Sequence, residues 1–187
     1  MEKVWILGGM RSFIGVKDRM YRNVPAEVLG AEVLRAVIEK YQLAECDIDF
    51  IIGGKAVGGG GNMPRLAALT AGLEQEIPAV SLDLQCGSAL EAVTQAAAKI
   101  ESGLADLVLA GGMESSSTQP LRMWNPNHPN YEKDKVWTVA QFIPGQQGEQ
   151  VMLEGAERTA ISEHVTKEEQ DFWVLESHQI GRASCRE

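Results

Sequence analysis

The sequence has 187 residues, enough for one domain or for one domain and part of another. Hydrophobic residues make up 44% and charged residues 23%, which is typical of a globular protein with a buried core. The formal net charge of -9 argues against binding to nucleic acid, because that affinity comes largely from Lys and Arg on phosphates.

The first 118 residues alternate short apolar runs with amphipathic segments. This alternation predicts an α/β fold with a mixed, mostly parallel sheet and helices on both faces. The predicted strands are Val4–Gly8, Asp49–Gly53, Ala79–Leu84 and Leu107–Ala110, and helices are predicted to begin near Pro25, Pro64 and Ser88. In such folds, chemistry collects at the carboxyl ends of the strands.

The pattern changes after Thr118. Residues 119–147 contain Pro, Asn, Trp and Gln without a clean period, which is typical of a lid or an inserted substrate-binding region. Helical periodicity returns over residues 150–161. A capping box from Thr166 to Glu169 then predicts the start of a last helix.

The three cysteines, Cys46, Cys86 and Cys185, are far apart in the sequence and form no CxxC pair. A zinc site is therefore not expected. An odd cysteine count without a signal-peptide core indicates a reducing compartment. No apolar run approaches the roughly 20 residues of a membrane helix, so we expect a cytoplasmic protein without a membrane partner.

Cys86 stands where a predicted strand passes into a predicted helix. The dipole and free N–H groups at a helix start favour a thiolate, and the same groups could hold the oxyanion of a thioester under attack. Gly87 would give a substrate room to approach the sulfur. Free cysteines are also often buried packing residues, so these residues alone leave a nucleophile and a structural thiol equally open.

The segment Leu82–Leu90 resembles the nucleophile motif of thiolases, which usually reads Asn-x-x-Cys-Gly/Ala-Ser-Gly. Other thiolase-like segments follow in the family's order, and the resemblance covers residues 1–179. These segments are Met10–Gly15, Gly111–Ser117, Met152–Glu157, Lys167–Asp171 and Ser177–Gln179.

The resemblance implies a layered thiolase fold and acyl transfer between coenzyme A thioesters, either acetyl-CoA condensation or 3-ketoacyl-CoA thiolysis. Cys86 would be the nucleophile that carries the acyl-thioester intermediate. Met152, Gly87 and Ser88 would contact the substrate. The family further implies acyl-CoA and CoA as partners, no covalently bound cofactor, a role in fatty acid metabolism and a homo-oligomer, either dimer or tetramer.

Some family features are changed or missing in this sequence. Asp83 replaces the motif's Asn and places a carboxylate that disfavours a thiolate nearby, and Ala89 replaces a Gly. The second-half motifs (Gly-His-Pro, Asn-Glu-Ala-Phe and Cys-x-Gly) do not occur. His128, in Asn-His-Pro, is interpreted as a solvated loop residue rather than a substitute. A decarboxylating 3-ketoacyl synthase and a catalytically inactive truncated fragment therefore remain alternatives.

By this resemblance, residues 1–118 form the thiolase N-terminal α/β domain without its last strand, and residues 119–179 begin the inserted loop or lid region. Residues 180–187 leave the thiolase pattern abruptly and are predicted to be a non-native tail, so Cys185 receives no role. The glycine-rich segment Val57–Asn62 lacks a nucleotide fingerprint. It is either a plain loop or, as in thiolases, a loop that approaches the partner subunit's active site.

Overall fold

A computed structural model of the chain describes residues 3–59, 61–139, 141–144 and 150–184. The chain divides into two compact units, Met1–Thr138 and Val139–Glu187. The first unit thus extends beyond residue 118. The domain boundary placed there from the sequence, and the non-native tail, stay predictions.

The first unit contains three helices and three strands among its described residues, with a short 3-10 turn, Glu45–Asp47, before the first strand. In chain order the elements are α1 (Ala26–Tyr41), β1 (Phe50–Gly54), α2 (Met63–Ala71), β2 (Ala79–Leu82), α3 (Ser88–Glu101) and β3 (Val108–Gly112). The strands pair in the order β2-β1-β3 and every pairing is parallel. The predicted α/β architecture is confirmed.

Alternate residues of the central strand β1 point to opposite faces of the sheet, as a strand's two-residue period requires. Ile51 belongs to a core cluster with Ala68 of α2, and Leu34 of α1 packs against this cluster. Ile52 belongs to a second cluster with Ala92 of α3. The helices therefore cover both faces of the sheet, with α1 and α2 on one side and α3 on the other.

The helix ends follow local sequence signals. Asn62 caps α2 by accepting a hydrogen bond from the N–H of Arg65 at 3.3 Å. Gly72 ends the same helix in the left-handed region at φ 86°, where a residue without a side chain has no steric penalty.

One predicted strand is wrong. The segment Val4–Gly8 forms no strand in the described part of the chain, and most of its side chains are exposed, with Ile6 at 82%. The sheet described ends at β2 on one side and at β3 on the other, and neither edge pairs with this segment. An apolar strand needs a neighbouring strand to satisfy its backbone groups, and the sequence pattern does not reveal whether that neighbour is present.

The second unit contains α4 (Val151–Ser162) and α5 (Lys167–Ser184). The predicted capping box is confirmed. The carboxylate of Glu169 accepts the N–H of Thr166 at 2.8 Å, and the hydroxyl of Thr166 accepts the N–H of Glu169 at 3.3 Å. The backbone N–H of Thr166 is the main cause that lowers the pKa of Glu169. Cys185 lies outside the described residues, and no described helix is long and apolar enough to span a membrane.

Candidate functional site

Cys86 lies in the short connection from β2 to α3, residues 83–87, at the carboxyl end of the parallel sheet. Its side chain is exposed. Two residues later, Ser88 begins α3 and is buried at 3% exposure. The chain therefore passes from an open thiol to a packed helix start within one turn, and the predicted strand-to-helix junction at Cys86 is confirmed.

The first turn of α3 lies directly against the ends of β1 and β3. A Cβ atom on Gly54 would come within 2.4 Å of the backbone carbon of Ser88 and 2.6 Å of the nitrogen of Ala89. A Cβ atom on Gly112 would come within 2.7 Å of the Ala89 methyl group. Glycine at both strand ends is what lets the helix start reach this position over the sheet.

Backbone and side-chain hydrogen bonds fix the connection itself. Gln85 adopts a left-handed conformation at φ 51°, which is uncommon for a residue with a side chain. The carboxylate of Asp83 accepts the N–H of Gln85 at 3.1 Å, and the carbonyl of Leu84 accepts the N–H of Gly87 at 3.0 Å. The departure from the family's Asn at position 83 thus keeps an oxygen acceptor for the turn.

The hydroxyl group of Ser88 joins three parts of the molecule. It accepts the N–H of Leu84 at 2.8 Å. Its single hydrogen faces the carbonyl oxygen of Gln85 at 2.6 Å and that of Lys55 at 3.1 Å. Lys55 directly follows β1, so this one side chain ties the Cys86 connection to the central strand.

Several N–H groups near Cys86 are used inside this connection. The N–H of Gly87 donates to Leu84, and the N–H of Ser88 donates to the carbonyl of Gln85 at 3.1 Å. An oxyanion formed at Cys86 would therefore be met by N–H groups other than these two. Substrate contacts of Gly87 and Ser88 stay predictions, and the Ser88 hydroxyl is already engaged by protein atoms.

The glycine-rich connection from β1 to α2 lies at the same end of the sheet. The Glu114 carboxylate accepts the N–H groups of Ala56 and Val57, both at 2.8 Å. The Arg122 guanidinium donates to the carbonyl oxygens of Val57, at 2.6 Å, and Gly58, at 3.1 Å. The described start of this loop is thus anchored from both sides. Gly60 lies outside the described residues.

The roles of Glu114 and Arg122 did not emerge from the sequence. Glu114 follows β3 by two residues and lies 57 positions from Val57, so no local spacing connects them. The one available signal was the resemblance of Gly111–Ser117 to a thiolase segment, which marked this stretch without giving its contacts.

His128 is half-buried rather than fully solvated. Its ring stacks on that of Trp124, with centroids 3.8 Å apart and planes 5° apart, and its Nδ1 accepts the N–H of Asn130 at 3.1 Å. The Trp124 ring also lies 5.3 Å from that of Trp137. His128 therefore lies in a loop, as predicted, but its ring packs on the Trp124 indole instead of being solvated, a contact that sequence spacing does not reveal.

Met152, a predicted substrate contact, belongs to α4 in the second unit and is 60% exposed. Its contact with a substrate stays a prediction. Cys46 lies in the 3-10 turn before β1 and is also exposed, with its Sγ 3.8 Å from a carboxylate oxygen of Asp47. The described part of the chain therefore contains two exposed thiols in different surroundings.

Comparison with known proteins gives a consistent result. The family described as thiolase, N-terminal domain, matches residues 4–187. A Staphylococcus aureus protein named "Putative acetyl-CoA C-acetyltransferase VraB" is 35% identical over 182 residues, 96% of this chain and 48% of its own length. The Staphylococcus epidermidis protein of the same name is 33% identical and is covered over 47% of its length.

The fold is also found in a crystal structure of the Bacillus anthracis acetyl-CoA acetyltransferase. The two chains superpose with a TM-score of 0.81 at 24% sequence identity, over 92% of this chain and 45% of the other. The chain spans about half the length of the curated relatives it matches.

Proposed function

Because this chain belongs to the thiolase family, we propose that it carries the nucleophilic part of acyl transfer between coenzyme A thioesters. In this proposal the Cys86 sulfur attacks the thioester carbonyl of an acyl-CoA. The tetrahedral intermediate collapses, the carbon–sulfur bond to CoA breaks, and CoA leaves as a thiol after taking up a proton. The acyl group stays on Cys86 as a thioester.

One observation carries the proposal most directly: Cys86 is an exposed thiol held at the carboxyl end of a parallel sheet, at the start of α3. Ligands of α/β folds bind at this end of the sheet. The helix start favours the charged form of a group placed there. Cys46 is exposed as well, but it lies before β1, at the opposite end of that strand.

Mass spectrometry of the chain after incubation with acetyl-CoA tests the acylation step. We expect one acetyl group on the peptide that contains Cys86, none on the peptide that contains Cys46, and no adduct at position 86 in Cys86→Ala. Equal labelling of the two cysteines would mean that acetyl-CoA reacts with any exposed thiol, which would contradict a special role for Cys86. Labelling of neither would refute acylation of Cys86 in this chain.

The complete reaction is proposed for a protein that adds a matching second half, since this chain spans about half of its relatives. There the acyl group would pass to a second acetyl-CoA, or CoA would cleave a 3-ketoacyl-CoA in the reverse direction. For the 187-residue chain alone we expect no turnover. Cleavage of acetoacetyl-CoA by the purified chain would contradict that expectation. The cleavage is measured as a decrease in the absorbance of the acetoacetyl-CoA enolate.

A decarboxylating 3-ketoacyl synthase is the alternative enzyme class. The names of the relatives and the thiolase-like segments Gly111–Ser117 and Met152–Glu157 favour the thiolase reaction. A comparison of malonyl and acetyl thioesters as the second substrate of the complete protein separates the two classes. Substrate contacts by Met152, Gly87 and Ser88, a cytoplasmic location, a role in fatty acid metabolism and a homo-oligomer belong to the same proposal.

A further inference from the structure

We propose that Ser88 is a positioning residue for Cys86: its buried hydroxyl holds the residue 83–87 connection in the one conformation that presents the thiol. This inference rests on the proposed role of Cys86 as a nucleophile. It gives Ser88 a task different from the substrate contact predicted from the sequence.

One oxygen atom, the Ser88 Oγ, has several partners. The Ser88 Oγ accepts from Leu84 at 2.8 Å and lies within donating distance of the carbonyls of Gln85 and Lys55. A hydroxyl has one hydrogen and two lone pairs, so these contacts occupy most of its bonding capacity. At 3% exposure, Ser88 has no water to replace a lost partner.

These bonds surround a backbone conformation that is uncommon for a residue with a side chain. Leu84 and Gln85 are the two residues immediately before Cys86, and Gln85 is in the left-handed region at φ 51°. Such a conformation persists where surrounding bonds over-determine it. The Ser88 hydroxyl bonds both residues, while Asp83 adds a bond to Gln85 from the other side.

The Ser88 hydroxyl also attaches the connection to the sheet. Lys55 follows β1, and its own N–H donates to the carbonyl of Leu82 in β2 at 3.0 Å. Through the Lys55 carbonyl, Ser88 connects the thiol-bearing turn to two paired strands. The direction of the Cys86 side chain is therefore set by the attachment of the turn to these paired strands, and not by the turn alone.

The test measures the rate of alkylation of Cys86 by iodoacetamide as a function of pH, resolved by peptide mass spectrometry. We expect Ser88→Ala to change the Cys86 rate by about five-fold or more, and to shift its pH profile, because the thiol loses its fixed place at the helix start. Cys46 in the same molecules should react at its original rate.

Ser115→Ala is the matched control. Ser115 is also buried, at 8% exposure, and its hydroxyl donates to the carbonyl of Val24 at 3.1 Å. A merely structural role for Ser88 predicts that both variants lower the unfolding midpoint and that neither moves the Cys86 pH profile. An unchanged profile in Ser88→Ala, or an equal change in both variants, would overturn the proposal.

If Ser88→Ala fails to fold, the variants Ser88→Thr and Ser88→Val test the proposal instead. Their side chains have the same shape, and threonine has a hydroxyl group where valine has a methyl group. The Thr variant is expected to keep the original pH profile, and the Val variant to lose it. Identical profiles, or failure of both to fold, would show that shape rather than the hydroxyl matters and would refute the proposal. Alkylation needs no coenzyme A, so this result is independent of the acetyl-CoA experiment.

Discussion

The two ends of the three-stranded sheet share one kind of contact and differ in another. At the amino end, carboxylates accept backbone N–H groups: Asp49 bonds Asp106 at 2.6 Å and Leu107 at 3.0 Å, and Glu45 bonds Glu74 at 2.8 Å. At the carboxyl end a carboxylate does the same, since Glu114 accepts the N–H groups of Ala56 and Val57. There the start of α3 also packs against glycines, and the neutral hydroxyl of Ser88 joins the elements. Both ends therefore use charged acceptors, and the carboxyl end, where Cys86 is exposed, depends in addition on space.

The largest expected effect comes from filling that space at Gly54. In Gly54→Ala the new methyl would meet the Ser88 backbone, which cannot move without shifting α3, so we expect a loss of about 3 kcal/mol or more in unfolding free energy. Gly111→Ala is the control, since a Cβ there has nothing within 4 Å. Urea denaturation of both variants measures the difference. Similar midpoints would show that close packing does not define the carboxyl end.

Gly112→Ala tests the same close packing at the end of β3, where the new methyl group would meet a side chain instead of the backbone. The new methyl would meet that of Ala89, and we expect a loss of about 1–3 kcal/mol. Adding Ala89→Gly removes the obstacle and should restore most of this loss, although glycine in a helix itself costs up to about 1 kcal/mol.

The same second substitution should not rescue Gly54→Ala, whose close contacts are all with backbone atoms. A double-mutant cycle from urea midpoints gives the coupling energy for each pair. We expect at least about 1 kcal/mol between positions 112 and 89, and no rescue between 54 and 89. Equal coupling in the two cycles would contradict the contacts described.

The fold could be predicted from the sequence where the signal is local. Short apolar runs predict β1, β2 and β3 to within two residues, and their alternation with helices predicts the parallel sheet. Val4–Gly8 has the same apolar pattern and is not a strand. A pattern of side chains reports that a strand could be buried, but pairing depends on a partner elsewhere in the chain.

The same distinction between local signals and long-range contacts applies to the candidate site. Cys86 was located by its strand-to-helix junction and by a motif, both of which are contiguous in sequence. The hydroxyl of Ser88 and the carboxylate of Glu114 act across 33 and 58 positions, on Lys55 and Ala56 respectively. Such contacts follow from how the strands and α3 are assembled, so no spacing within one segment predicts them.

The charge dependence of the amino end predicts a smaller and pH-dependent effect. The N–H groups of Asp106 and Leu107 hold the pKa of Asp49 below its ordinary value of 3.8. A carboxylate with a lowered folded-state pKa contributes stability that is fully present above about pH 4 and is lost as the pH falls through the folded value.

Asp49→Asn should therefore cost about 1–2 kcal/mol near pH 7, because hydrogen bonds to a charged acceptor become bonds to a neutral one. The difference in unfolding free energy between the original chain and the variant should become smaller as the pH is lowered towards 3. Urea midpoints across the pH range measure this difference. A gap that stays constant with pH would mean that the ionised carboxylate is not what holds β1 to the start of β3.

The smallest expected effect on stability belongs to Asp83, a charged residue at the end of the sheet that depends on space. An asparagine oxygen can accept the Gln85 N–H as the carboxylate does, so Asp83→Asn should change the unfolding free energy by no more than about 0.5 kcal/mol. Asp83 lies three positions before Cys86 in the sequence, and two exposed charges interact by up to about 1 kcal/mol. Alkylation of Cys86 at pH 7 should consequently become faster by about two- to five-fold.

Asp47→Asn supplies the matched comparison, because Asp47 lies beside the other exposed thiol, with its carboxylate 3.8 Å from the Cys46 sulfur. It should change the rate at Cys46 and leave that at Cys86 unaltered. If Asp83→Asn destabilises the chain as much as Asp49→Asn, the Cys86 connection depends on charge as the amino end does. If it leaves the Cys86 rate unchanged, then the substitution of the family's Asn by Asp83 has no consequence for the thiol. The expected pair of results, a faster thiol in an equally stable chain, would show that the carboxyl end can change its charge without losing its shape.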